Sequence, residues 1–160
     1  AKPSSWLTET LDKASLFPTT STTAKNERIV SPVLFEVAES YKDEITLISG
    51  GRLPTGEDYY ISGELTEFTL INQPHLPYLD APVFAIVGSR LSQCAVQLFS
   101  ARLLNEKAEK EQPVLFGCVT TNTNWQFIRF ENNTLHIDSR YYSNIEQVLG
   151  IWHHIIELSI

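Results

Sequence analysis

Apolar and polar positions along this chain follow two periods, one helical and one alternating, and together they predict a mixture of helices and strands. Behind Ser4, the residues Trp6, Leu7, Leu11 and Leu16 recur at helical spacing, which predicts a short amphipathic helix with a serine cap. Pro18 to Thr23 is polar, carries no charge and reads as a linker. From Glu27 to Tyr41, Ile29, Val30, Val33, Leu34 and Val37 mark one helical face. Proline is tolerated only near the first turn of a helix, so Pro32 places the start of this one at Ser31.

Ile45 to Ser49 predicts a strand, closed by Gly50-Gly51, and a turn at Gly56-Glu57-Asp58 leads into a longer strand, Tyr60 to Ile71. In that strand Glu67 shares a side with Leu65, Thr69 and Ile71, the side taken as the more buried, while Glu64 points the other way. Asn72 to Pro82 holds three prolines with His75 and Asp80, and is expected to be irregular. Val83-Phe84-Ala85-Ile86-Val87 is the signature of a central strand covered on both faces. Ser92 to about Lys110 predicts a helix with Ala95, Leu98, Ala101 and Leu104 on the sheet. Three strands follow (Val114 to Thr120, Trp125 to Phe130, Thr134 to Ile137), then a closing helix from Ile145 to Leu158. The fold class expected is α/β, more narrowly α+β, with a mixed central sheet flanked by helices. Residues 1–26 form an N-terminal helix and Thr/Ser linker, and residues 27–160 form one domain.

Composition narrows the function classes. No apolar run approaches the roughly 20 residues that cross a bilayer, and Ala1 to Trp6 lacks a basic segment followed by an apolar one, so neither a membrane span nor a secretory signal is expected. Cys94 and Cys118 lack CxxC spacing and a neighbouring histidine, which leaves two buried thiols and a cytoplasmic location as the expectation. A net charge of −7 opposes binding to a phosphate backbone, although a local groove stays open. His153 and His154 point about 100° apart on a helix, and neither a serine nor a cysteine catalytic signature is present.

A resemblance emerges from the order helix, strand, strand, apolar strand, helix, strand. With Ile29-Val30-Ser31-Pro32-Val33-Leu34-Phe35-Glu36, Gly63-Glu64-Leu65-Thr66-Glu67-Phe68, Gly88-Ser89-Arg90, Gln93-Cys94-Ala95-Val96-Gln97 and Gly117-Cys118-Val119-Thr120-Thr121, it is similar to a group of uncharacterised bacterial proteins of the PD-(D/E)xK, restriction-endonuclease-like, superfamily. The match spans about residues 27 to 156. Nucleases of that superfamily hold Mg²⁺ between two acids, with a lysine two residues beyond the second, and the metal offsets phosphate charge while the lysine helps position the attacking water. The resemblance places the first acid at Glu67, the second at Gly88, the lysine at Arg90, an assisting helix acid at Glu36 and a substrate-contacting glutamine at Gln93, with Gln97 one turn on. Gly88 has no ligand atom, and an arginine at position 90 stays protonated and presents a planar fork. The implied site is vestigial, with Arg90 set to bridge Glu36 and Glu67 in place of the metal. The function expected is a catalytically inactive nuclease-like domain, without a cofactor, that binds a protein partner or a second copy of itself. The amphipathic N-terminal helix is then either a docking arm or folded back on its own core. Two alternatives accompany it: a Mg²⁺-dependent DNA endonuclease with a relocated acid, its metal held by Glu67 and Asp80, and a domain that binds nucleic acid through Arg90, Arg102, Lys107 and Lys110 without cutting.

Overall fold

The structure, a computed structural model, describes residues 1–51, 66–74, 82–121 and 124–160. Helix α1 (Ser5–Ala14) is capped by Ser4, whose hydroxyl accepts from the Leu7 N–H. Its apolar face lies on the body of the protein. Leu7 is 0% exposed and belongs to the same core cluster as the later helices, and Trp6 stacks at 6.0 Å on Phe35. The helix is therefore folded back and is not a free arm.

The second helical stretch departs from expectation. It starts at α2 (Thr22–Lys25), capped by Ser21, passes through a π turn (Asn26–Val30) and continues as α3 (Ser31–Glu39). The boundary expected between residues 26 and 27 thus falls inside a continuous helix, and Ser31 is not a cap. Proline inside a helix normally leaves an earlier carbonyl without its donor and crowds the preceding turn. Here the widened turn precedes Pro32, with the Ser31 N–H bonded back to the Asn26 carbonyl, and the helix runs through.

Six strands form one sheet in chain order: β1 (Thr46–Ser49), β2 (Phe68–Ile71), β3 (Val83–Gly88), β4 (Val114–Thr121), β5 (Asn124–Glu131) and β6 (Thr134–Ile137). All neighbours are antiparallel except β3 and β4, which are joined through helix α4 (Leu91–Lys107) and run parallel. This is the mixed sheet flanked by helices that the periodicity predicts. The turn at 56–58, residues 60–65 of the longer predicted strand, and His75 and Asp80 lie outside the described residues.

Every residue of β3 is buried, as a strand covered on both faces requires. Helices α1, α3 and α5 (Ile145–Ser159) pack on one face with Phe84, Val87 and Phe127, and α4 packs on the other with Val83, Ile86 and Ile128. At Gly117 α4 comes close: a Cβ there would lie 2.9 Å from Leu98 Cδ1 and 3.1 Å from Cys94 Sγ, so a larger residue would make those side chains shift. Asn105 pins the same helix to β3, accepting from the Val83 N–H and donating to the Val83 carbonyl, each at 2.8 Å. Among the described residues, no helix is long and apolar enough to cross a membrane.

Candidate functional site

The parallel strand β3 ends at Gly88 beside Val119 of β4, next to Thr120, and the chain leaves β3 through Ser89 and Arg90 into α4. Three other segments converge on this point. Gly50 and Gly51, at φ 76° and 97° where a side chain would be strained, pair with Glu67 and Thr66 and bring Glu67 to the head of β2. The helix through the π turn delivers Lys25 and Asn26.

Lys25 is 5% exposed, rare for a lysine without close partners. Its Nζ donates to Ser89 Oγ at 2.7 Å and to the Thr120 carbonyl at 2.8 Å. Ser89 Oγ in turn donates to Glu67 Oε1 at 2.6 Å, and Asn26 Nδ2 donates to the same oxygen at 2.6 Å. The result is a relay, ammonium to hydroxyl to carboxylate, with an amide closing its far side. Burial pulls the Lys25 ammonium below the ordinary lysine range, and the charge of Glu67 works against that fall. Beneath the relay lie the free thiols of Cys94 and Cys118, both pushed up by burial, Cys94 to about 12.

Of the residues singled out by sequence, Glu67, Gly88 and Gln97 come together. A Cβ on Gly88 would sit 3.5 Å from Glu67 Oε2 and 3.9 Å from Gln97 Oε1, ordinary contact distances, so position 88 faces the carboxylate. Glu36 does not join them. Both its carboxylate oxygens accept from Ser4, through the backbone N–H and the hydroxyl, at the head of α1. Gln93 is half-buried in the first turn of α4. Arg90 is exposed and its side chain makes no capping bond. The salt bridge expected of it with Glu36 and Glu67 is absent among the described residues, because Lys25 fills the cationic role from the opposite direction. Of the cations named for a nucleic-acid contact, Arg102 lies between phenyl rings at the far end of α4.

Lys25, Asn26 and Ser89 were not among the residues expected. The signal that places Lys25 on a helix is Ser21, whose hydroxyl accepts from the Ala24 N–H as an N-cap inside the stretch read as a linker. Among the described residues the histidines form no metal site: His153 Nδ1 pairs with Tyr41 Oη at 3.0 Å, while His136 and His154 are exposed.

The described residues do not fit the magnesium site that the resemblance implies. Gly88 offers no ligand, Glu67 Oε1 already accepts two hydrogen bonds, and an ammonium lies one hydroxyl away. Mg²⁺ depends on one or two free carboxylates beyond its waters. No group of three or more His, Cys, Asp or Glu side chains among the described residues is placed to hold a metal ion. Comparison of the chain with family models, with curated proteins and with solved structures finds no match in any of the three.

Proposed function

We propose that this chain is a catalytically inactive PD-(D/E)xK-like domain that works as a protein-interaction or structural module, with an internal lysine doing the electrostatic work of the lost metal. The observation that carries this reading is the Lys25, Ser89, Glu67 relay: where a nuclease would gather carboxylates around a cation, this chain has one carboxylate tied to a cation of its own. The order α3, β1, β2, β3, α4, β4, with a single parallel pair across the helix, supports the fold half of the proposal.

On this reading the domain needs no cofactor and resides in the cytoplasm, in keeping with two free thiols. It meets a protein partner or another copy, and the outer edge of β6, with all four residues exposed, is a surface open to either. The net charge of −7 disfavours DNA as the partner.

The test is calorimetric titration of Mg²⁺ and Mn²⁺ into the native chain and into two variants, Gly88→Glu with Arg90→Lys, and Gly88→Asp with Lys25→Met. No binding by the native chain and binding gained in either variant is the expected result. Tight binding by the native chain, abolished by Glu67→Ala or Asp80→Ala, would overturn the reading and make the protein a metal-dependent nuclease.

A further inference from the structure

At the opposite end of the sheet from Gly88 lies a cavity of about 570 Å³ between the last turns of α4, the start of β4 and the β5–β6 turn. Its size is that of a small-molecule site. Leu115, Pro113 and Phe130 give it apolar walls, and Arg102 lines it together with a second hollow of about 370 Å³ beside Phe99.

Arg102 is the unusual group here. Its guanidinium sits 4.8 Å from the Phe99 ring centroid and 5.2 Å from that of Phe130, so two rings hold the cation. The side chain is only 24% exposed, yet its buried Nε has no hydrogen-bond partner among the described residues. Glu106 Oε1, one helical turn on, forms an ion pair with that nitrogen at 3.7 Å, too long for a hydrogen bond. Buried donors are costly unless they meet acceptors, and a fixed guanidinium with an N–H left over is matched by a carboxylate, which can accept two parallel bonds from such a fork.

The sign and size of the ligand's charge follow from the surroundings. Arg102 and Lys110 face Glu106, Glu111 and Glu131 around the cavity, and Glu131 is engaged from outside by Arg129 at 3.6 Å. The rim is close to neutral, so a single negative charge can enter, whereas a dianionic phosphate would meet three carboxylates. We propose that this cavity binds a small monocarboxylate with an apolar or aromatic body, its carboxylate on Arg102 and its body against Leu115 and Phe130. The site stands apart from the Lys25 relay and does not depend on the function proposed above.

The experiment is a titration of the ¹⁵N-labelled chain with 3-phenylpropionate, followed through the Arg102 Nε–H signal and the backbone amides of Phe130 and Asn133. Phenethylamine, which has the same ring and a cation in place of the carboxylate, and inorganic phosphate serve as comparison probes. Saturable shifts with 3-phenylpropionate alone are expected, and Arg102→Lys, which keeps the charge and loses the fork, weakens binding by about tenfold or more. No shift at Arg102 up to millimolar 3-phenylpropionate, equal shifts with phenethylamine or phosphate, or unchanged affinity in Arg102→Lys would each overturn the proposal. The native-chain titration decides the matter even if the variant does not fold.

Discussion

The two ends of this sheet treat a buried cation in opposite ways. At the end where β3 and β4 stop, the Lys25 ammonium meets a hydroxyl and a carbonyl at hydrogen-bonding distance, and the neighbouring carboxylate is satisfied in turn. At the other end, the Arg102 guanidinium is held by ring faces, and its buried Nε finds no hydrogen-bond acceptor among the described residues. Rings fix a cation in place without consuming its hydrogen bonds, whereas a relay fixes it by consuming them. The first arrangement leaves recognition capacity unused and the second converts it into stability, so substitutions at the two ends should separate in kind.

The largest effect is expected at the closed end. Lys25→Ala leaves Ser89 and the Thr120 carbonyl without their donor and Glu67 without its nearby cation, and removing one partner of a buried ionic network costs about 3 kcal/mol; urea unfolding should show a loss of that order. Replacing both ends of the relay, Lys25→Met with Glu67→Gln, should recover a large part of it, because the burial cost of the charges goes with them. A double variant no more stable than Lys25→Ala would argue that the lysine acts by packing alone.

A second way to probe the closed end uses the thiols beneath it. Cys94 and Cys118 are held above their ordinary range, so the unfolded chain releases their protons near pH 9 while the folded chain keeps them up to about 12 at Cys94. The unfolded state binds fewer protons in that window, and stability is therefore present below pH 9 and falls as pH rises towards 12. Unfolding midpoints measured from pH 8 to 11 should decline, and Cys94→Ala should flatten the decline. A slope indifferent to that substitution would place the alkaline loss elsewhere.

The smallest stability change belongs to the open end. Arg102→Ala removes two ring contacts, some stem packing and a solvent-exposed ion pair with Glu106 but strands no hydrogen-bond acceptor, at a cost of about 1 kcal/mol by urea unfolding. A loss as large as that of Lys25→Ala would erase the distinction between the two ends.

Sequence periodicity made much of this legible. The all-apolar run at 83–87 marks β3 because a strand covered on both faces has no polar side to alternate with, and α4 and α5 fall within a residue or a few of their expected limits. The site was half legible. Glu67 and Gly88 stand together because they lie at the adjoining ends of strands that pair: Phe68 lies opposite Val87. What holds Glu67 comes from 41 residues earlier in the chain, through Asn26, and no local pattern encodes a contact of that separation. Glu36 was misplaced for a related reason, since its carboxylate serves the distant start of α1, where helix N–H groups need acceptors, while Arg90 stays exposed.

The π turn before Pro32 has a consequence for how this chain tolerates change in length. A π turn is in effect one residue more than an α-helix needs for the same span, and a single residue accounts for about 100° of rotation and 1.5 Å of rise. Deleting one residue between Asn26 and Val30 would therefore close the turn to an ordinary α-helix and leave Lys25 facing Ser89, whereas one residue lost from a regular α-helix, with no such surplus to absorb it, swings whatever precedes it out of place. The turn is thus the place where this helix can lose a residue without losing its internal cation.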